Sequence, residues 1–166
     1  MSYFRFGAMV AISTVLMFGL MYLNVYAGSH IWFSETRAWM ALVMGAVMAM
    51  VMLALMWPMY PGRSVKLAVM ASSVAIFAAS LWLVRSQTTV GDVDYMKAMI
   101  PHHSIAVLTS ARAHIRDPEV RKLADGILET QIREIAEMER LIGRLEREPV
   151  PAGAPDLPAS SAAETR

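Results

Sequence analysis

Residues 95–107 read YMKAMIPHHSIAV. Two methionines three residues apart lead into a proline and two adjacent histidines. At about 100° per residue, Met96, Met99, His103, Ser110 and His114 fall within one narrow arc, with His102 to one side of it. The stretch is therefore read as the middle of a helix over about residues 93–115, with Asp92 as its N-cap. Pro101 removes a backbone donor, so the carbonyl of Lys97 loses its partner and the helix bends beside the histidines rather than ending there.

Downstream, the segment Ile115-Arg116-Asp117-Pro118 marks a turn. Asp117 caps a second helix over about 118–147, with Pro118 at the first position, where proline is tolerated. Rows at seven-residue spacing give this helix a broad apolar seam: Val120, Ile127 and Leu141; Leu128, Ile135 and Ile142; Ala124, Met138 and Leu145. Gln131 and Glu134 interrupt the seam. A carboxylate there is costly unless it is paired, protonated or bound to a cation. Folding the two helices back about Arg116–Asp117 brings residues whose numbers sum to roughly 233 to one level. Met96 then meets Met138, Met99 meets Glu134, and His102 and His103 meet Gln131. The tail over 149–166 is rich in Pro, Ala and Ser, a composition expected to stay disordered.

Upstream the character changes. The chain of 166 residues is 56% apolar, with a mean hydropathy of +0.43, too apolar for an ordinary soluble domain of this length. Before residue 85 the only charged residues are Arg5, Glu35, Arg37, Arg63 and Lys66. Three runs approach the roughly 20 apolar residues that a spanning helix needs, at about 4–26, 38–57 and 65–84. Pro58 and Pro61 separate the last two, and Trp39, Trp57, Tyr60 and Trp82 sit at span ends, where amphipathic rings prefer the interface. Val25-Tyr26-Ala27 could pass as a cleavage site, but the apolar run before it exceeds the about 7–15 residues of a signal core, so it is read as a retained span. Arg5, Arg63 and Lys66 lie on one side, Arg37 and Arg85 on the other. That bias expects a cytoplasmic N-terminus and a hairpin outside a bacterial inner membrane, in the periplasm.

The chemistry on offer is narrow. Cysteine is absent and methionine is abundant, with 15 residues. Thiolate sites and disulfides are thereby excluded, while thioethers suit Cu(I). Met40, Met44, Met48, Met52 and Met56 run at four-residue steps through the second span. They form either a thioether ladder or ordinary packing. His30, in the first loop, and His114, near the hairpin turn, are secondary candidates. A net charge of +1 gives no case for a nucleic-acid partner. No zinc-peptidase, phosphate-loop or nucleophile-elbow motif occurs, and Glu134-x-x-Glu137 lacks the histidine of a di-iron motif, so no enzyme activity is expected.

The residues Asp92, Tyr95-Met96, Met99-Ile100-Pro101-His102-His103, Ala106, Asp117-Pro118-Glu119-Val120, Leu123-Ala124, Ile127, Gln131, Glu134-Ile135 and Met138 resemble the domain-of-unknown-function 305 family, over about residues 91–143. That resemblance implies half of a ferritin-like four-helix bundle and, by analogy with periplasmic members linked to copper tolerance, a copper-binding role. It implies ligands at Met96, Met99, His102 and His103, with Glu134 and Met138 as further ones and Gln131 beside them. Two departures stand out. Many relatives carry a methionine near position 109, here Thr109, and many have two copies of the hairpin, here one. A lone hairpin buries little surface, so a homo-oligomer is expected. The sequence reading is thus an all-α chain. Residues 1–85 form a three-span region and residues 86–148 a helical hairpin that binds copper as Cu(I) or Cu(II), with zinc as another possibility. The competing reading is a non-catalytic oligomerisation or docking module whose Met/His cluster fixes register.

Overall fold

The computed structural model describes residues 2–158, and among these every regular element is helical. The helices are α1 (Tyr3–Leu20), α2 (Glu35–Leu55), α3 (Arg63–Ser86), α4 (Asp92–Arg112) and α5 (Pro118–Arg147). α1, α2 and α3 are long and apolar enough to cross a membrane. α2 is central and packs against both α1 and α3. Its buried stripe is Ala41, Gly45, Ala46, Ala49 and Leu53, small residues that let helices approach closely. A Cβ on Gly45 would lie 2.2 Å from Thr14 Oγ1 of α1. At the end of the bundle near the N-terminus, Phe6, Leu53 and Tyr60 form a core. There the Tyr3 hydroxyl donates to the Pro61 carbonyl at 2.8 Å, and Lys66 donates to the Trp57 carbonyl at 3.0 Å while lying over the Trp57 ring. The outer surface of the bundle is apolar: Phe4, Ile12, Val15, Leu16 and Leu20 of α1 are all exposed. An apolar face of that extent marks contact with lipid or with another apolar surface.

α1 stops at Leu20, short of the expected residue 26. Polar groups around the start of α2 take over the chain there. The Arg37 guanidinium donates to the Met21 carbonyl at the helix end and stacks on the Tyr22 ring, 4.5 Å from its centroid. The Tyr22 hydroxyl accepts the Ser34 N–H at 3.0 Å, and Ser34 Oγ caps α2 by accepting the Arg37 N–H. Burial pushes the Tyr22 phenol above its ordinary range, which keeps it protonated. Apolar periodicity carries no trace of this turn, because hydrogen bonds to residues more than ten positions on create it.

The hairpin of α4 and α5 has its own core of Met96, Ile100, Val107, Ile135 and Ile142, flanked by Leu128, Met138, Leu141 and Leu145. Asp117 Oδ1 caps α5 by accepting the Glu119 and Val120 N–H groups, each at 2.9 Å. Arg121 closes the turn, donating to the Ser110 carbonyl at 2.8 Å and pairing with Asp125. α5 keeps its expected bounds. α4 begins at Asp92, so Gly91 and not Asp92 is the N-cap, and it ends at Arg112 rather than 115. Residues 149–158 of the tail form no helix or strand, and its remaining residues, 159–166, lie outside the described ones.

The two halves touch. The loop between α1 and α2 folds over α4, where the Tyr26 N–H donates to Ser104 Oγ and the same oxygen bonds His30 Nδ1, both at 2.8 Å. Trp32 of that loop packs against the hairpin core, with the Lys97 ammonium over its ring. This loop and the hairpin therefore share one end of the three-helix bundle.

Candidate metal centre

α4 runs through Pro101 without a break, so the residues around it stay in helical phase. Packing then decides which histidine turns inward. Ile100 and Ser104 are fully buried; His103 is mostly buried, its side chain only 12% exposed, whereas His102 faces out. The two imidazole centroids are 6.2 Å apart with planes at 68°.

His103 bridges the two helices. Its Nδ1–H donates to the Met99 carbonyl at 3.0 Å, because a carbonyl can only accept. Its Nε2 faces Glu134 Oε2 at 2.9 Å, and Gln131 Nε2 lies 3.5 Å from the same carboxylate oxygen. A ring whose Nδ1–H is held by a backbone carbonyl presents Nε2 in fixed orientation, the arrangement usual for metal-ligating histidine.

The cleft between α4 and α5, ≈ 930 Å³ in volume, is lined by Met96, Met99, His103, Glu134 and Met138. Five of the six principal candidates thus share one cavity. Asp92, Tyr95, Glu137, Arg144 and, from the tail, Asp156 line it too. Of these, Glu137 was visible in the sequence as the neighbour of Glu134 one turn on; nothing local pointed to Asp156.

Other candidates lie elsewhere. His102 does not line the cleft. His114 is exposed, beyond the end of α4, so the arc projected through it does not exist. His30 is bound to Ser104. Gln131, besides its contact with Glu134, lines a separate groove with Leu123 and Ile127. Met44, Met48 and Met52 are half-buried along α2, Met56 is half-buried at its C-cap and Met40 is exposed, the row running one residue out of phase with the small-residue stripe. The levels expected across the hairpin also shift: His103 meets Glu134 rather than Gln131. Side chains tilt toward the N-terminus of their own helix, and in an antiparallel pair the two tilts move contacts in the same sense, toward higher numbers on both helices.

The donor set can be tested against a metal. Among the described residues, no three His, Asp or Glu side chains converge on one point. The zinc arrangement of His102, His103 and a carboxylate is therefore not assembled within one chain. What the cleft does hold is the His103 imidazole, paired with the Glu134 carboxylate, among three thioethers, with Asp92, Glu137 and Asp156 also on its lining; thioether with imidazole is a combination whose softness fits Cu(I).

Residues 92–165 match the family described as Domain of unknown function (DUF305). The chain is also 32% identical over 72 residues to an uncharacterized protein of Acanthamoeba polyphaga mimivirus, a stretch covering 42% of this chain and 47% of that one. The chain thus spans about half the length of that curated relative. No solved structure matches.

Proposed function

With residues 92–165 matching the model of the DUF305 family, we propose that the protein is a membrane-anchored copper-binding protein whose site is the α4–α5 cleft. One observation carries the reading: His103, its Nδ1 tied to the Met99 carbonyl, points Nε2 at Glu134 in a cleft lined by the thioethers of Met96, Met99 and Met138. The thioethers and the imidazole hold Cu(I); the imidazole and Glu134 provide the harder donors that Cu(II) prefers. The role is binding and buffering rather than catalysis.

α1, α2 and α3 anchor the domain by spanning the bilayer. Arg5, Arg63 and Lys66 set the N-terminus in the cytoplasm, and the hairpin sits on the opposite, periplasmic side of the inner membrane. A methionine row through α2 passing copper across the bilayer is a lesser part of this reading; the packing of Met52 and Met56 against the aromatic core favours a structural role for the row.

The test is a titration of the full chain in detergent micelles with Cu(I) against a colorimetric chelator. Wild type should compete, and His103→Ala should lose at least about tenfold in affinity. Equal binding by both, or by neither, sinks the reading.

A second reading has its own observation. Val120, Leu123 and Ile127 form an exposed apolar row on α5, continuous with the groove that holds Gln131. A second copy of the hairpin seated there makes a homo-oligomer, and the Met/His cluster then fixes register. Loss of oligomer in Leu123→Asp without change in copper binding supports assembly as a separate property of the hairpin.

A further inference from the structure

We infer that the loop between α1 and α2 is part of the candidate site, and that Ser104 and His30 are positioning residues for His103. α4 is weakest where it matters. Pro101 leaves the Lys97 carbonyl without its helical donor, two residues before His103. A helix interrupted in its hydrogen-bond ladder can bend, and a bend of α4 would swing Met96 and Met99 relative to His103.

The loop braces this point. Ser104, next to His103 in sequence and 0% exposed, receives the Tyr26 N–H and bonds His30 Nδ1, both at 2.8 Å. On the other side of the proline, Trp32 packs against the core that contains Met96 and Ile100, and Lys97 lies over its ring at 5.8 Å. The loop thus grips α4 on both sides of Pro101, along a face of the helix that does not line the cleft. A hydroxyl buried in the apolar stripe Ile100, Ser104, Val107 is costly unless it is hydrogen-bonded; the loop supplies both of its partners. The cleft geometry is consequently set by the membrane half as well as by the hairpin.

The effect on affinity rests on the copper reading, so the test has one arm free of metal. In the full chain in micelles, hydrogen exchange of the amides over 95–107 is compared for wild type, Ser104→Ala, His30→Ala and His30→Asn, with overall helicity monitored by circular dichroism. Asparagine keeps a hydrogen-bonding atom near the place of Nδ1. Ser104→Ala and His30→Ala should exchange faster over this stretch at unchanged helicity, and each should weaken Cu(I) by roughly fivefold, the worth of about one hydrogen bond. His30→Asn should recover both. Unchanged exchange in both alanine variants overturns the inference. So does faster exchange with unaltered Cu(I) affinity, which would make the brace merely structural. If wild type itself binds no Cu(I), the copper reading fails on its own, and the exchange arm still decides whether the loop holds α4.

Discussion

His103 and Glu134 face each other across the hairpin, imidazole Nε2 to carboxylate Oε2 at 2.9 Å, while His102, one residue away, looks outward. The two histidines are therefore not interchangeable. His103→Ala should weaken Cu(I) by about tenfold or more, and His102→Ala should stay within about twofold of wild type in the same chelator competition. Equal losses would mean that His102 also reaches the ion, although it faces outward and does not line the cleft.

Glu134→Gln keeps a hydrogen-bonding side chain at the carboxylate position but removes its charge. Hard donors matter more to Cu(II) than to Cu(I). Cu(II) affinity should fall by roughly an order of magnitude and Cu(I) affinity by much less, measured by separate titrations under oxidising and reducing conditions. The variant should remain folded, since Glu134 is 44% exposed and its pairing contributes at most about 1 kcal/mol.

Ile142 is 2% exposed in the hairpin core, whereas Ile132 on the same helix is 51% exposed. Ile142→Ala should cost about 2–5 kcal/mol through lost burial and the cavity left behind. Ile132→Ala should stay within about 0.5 kcal/mol. Denaturation followed by the helical signal distinguishes the two.

Gly45→Ala sets a methyl group 2.2 Å from Thr14 Oγ1, which is itself held by the Val10 carbonyl at 2.8 Å. The clash should destabilise the α1–α2 contact by about 1–3 kcal/mol. Adding Thr14→Ala removes the obstructing hydroxyl and should restore most of the loss. Thermal melts of the single and double variants in micelles check this, and a double variant no better than Gly45→Ala would place the clash elsewhere.

The chain has no cysteine, which makes sidedness directly measurable. Ser29→Cys in the α1–α2 loop and Val120→Cys in the hairpin should label together from the periplasm. Ser64→Cys, at the opposite end of the bundle, should label only from the cytoplasm. Labelling of residue 120 from the cytoplasm alone would invert the proposed orientation.

Much of this protein is legible along the chain because its determinants are local. Apolar runs unbroken by charge mark α1, α2 and α3. The seven-residue rows and the Asp117-Pro118 start mark α5, whose bounds agree to the residue. Helical spacing also suffices to gather Met96, Met99 and His103 on one face of α4 and Glu134 and Met138 on one face of α5.

What the chain alone could not decide is phase and contact between elements. Adjacent residues on a helix point about 100° apart, so either histidine could have faced α5; burial of Ile100 and Ser104 fixes α4 in the rotation that brings in His103. The pairing of His103 with Glu134 follows from the tilt of side chains along two antiparallel helices, which a count of residues from the turn ignores. The early end of α1 and the grip of Tyr26 and His30 on Ser104 join residues up to 78 positions apart. A buried serine in an apolar stripe signals that it needs a partner, but only the packing of the loop onto α4 determines which partner it finds.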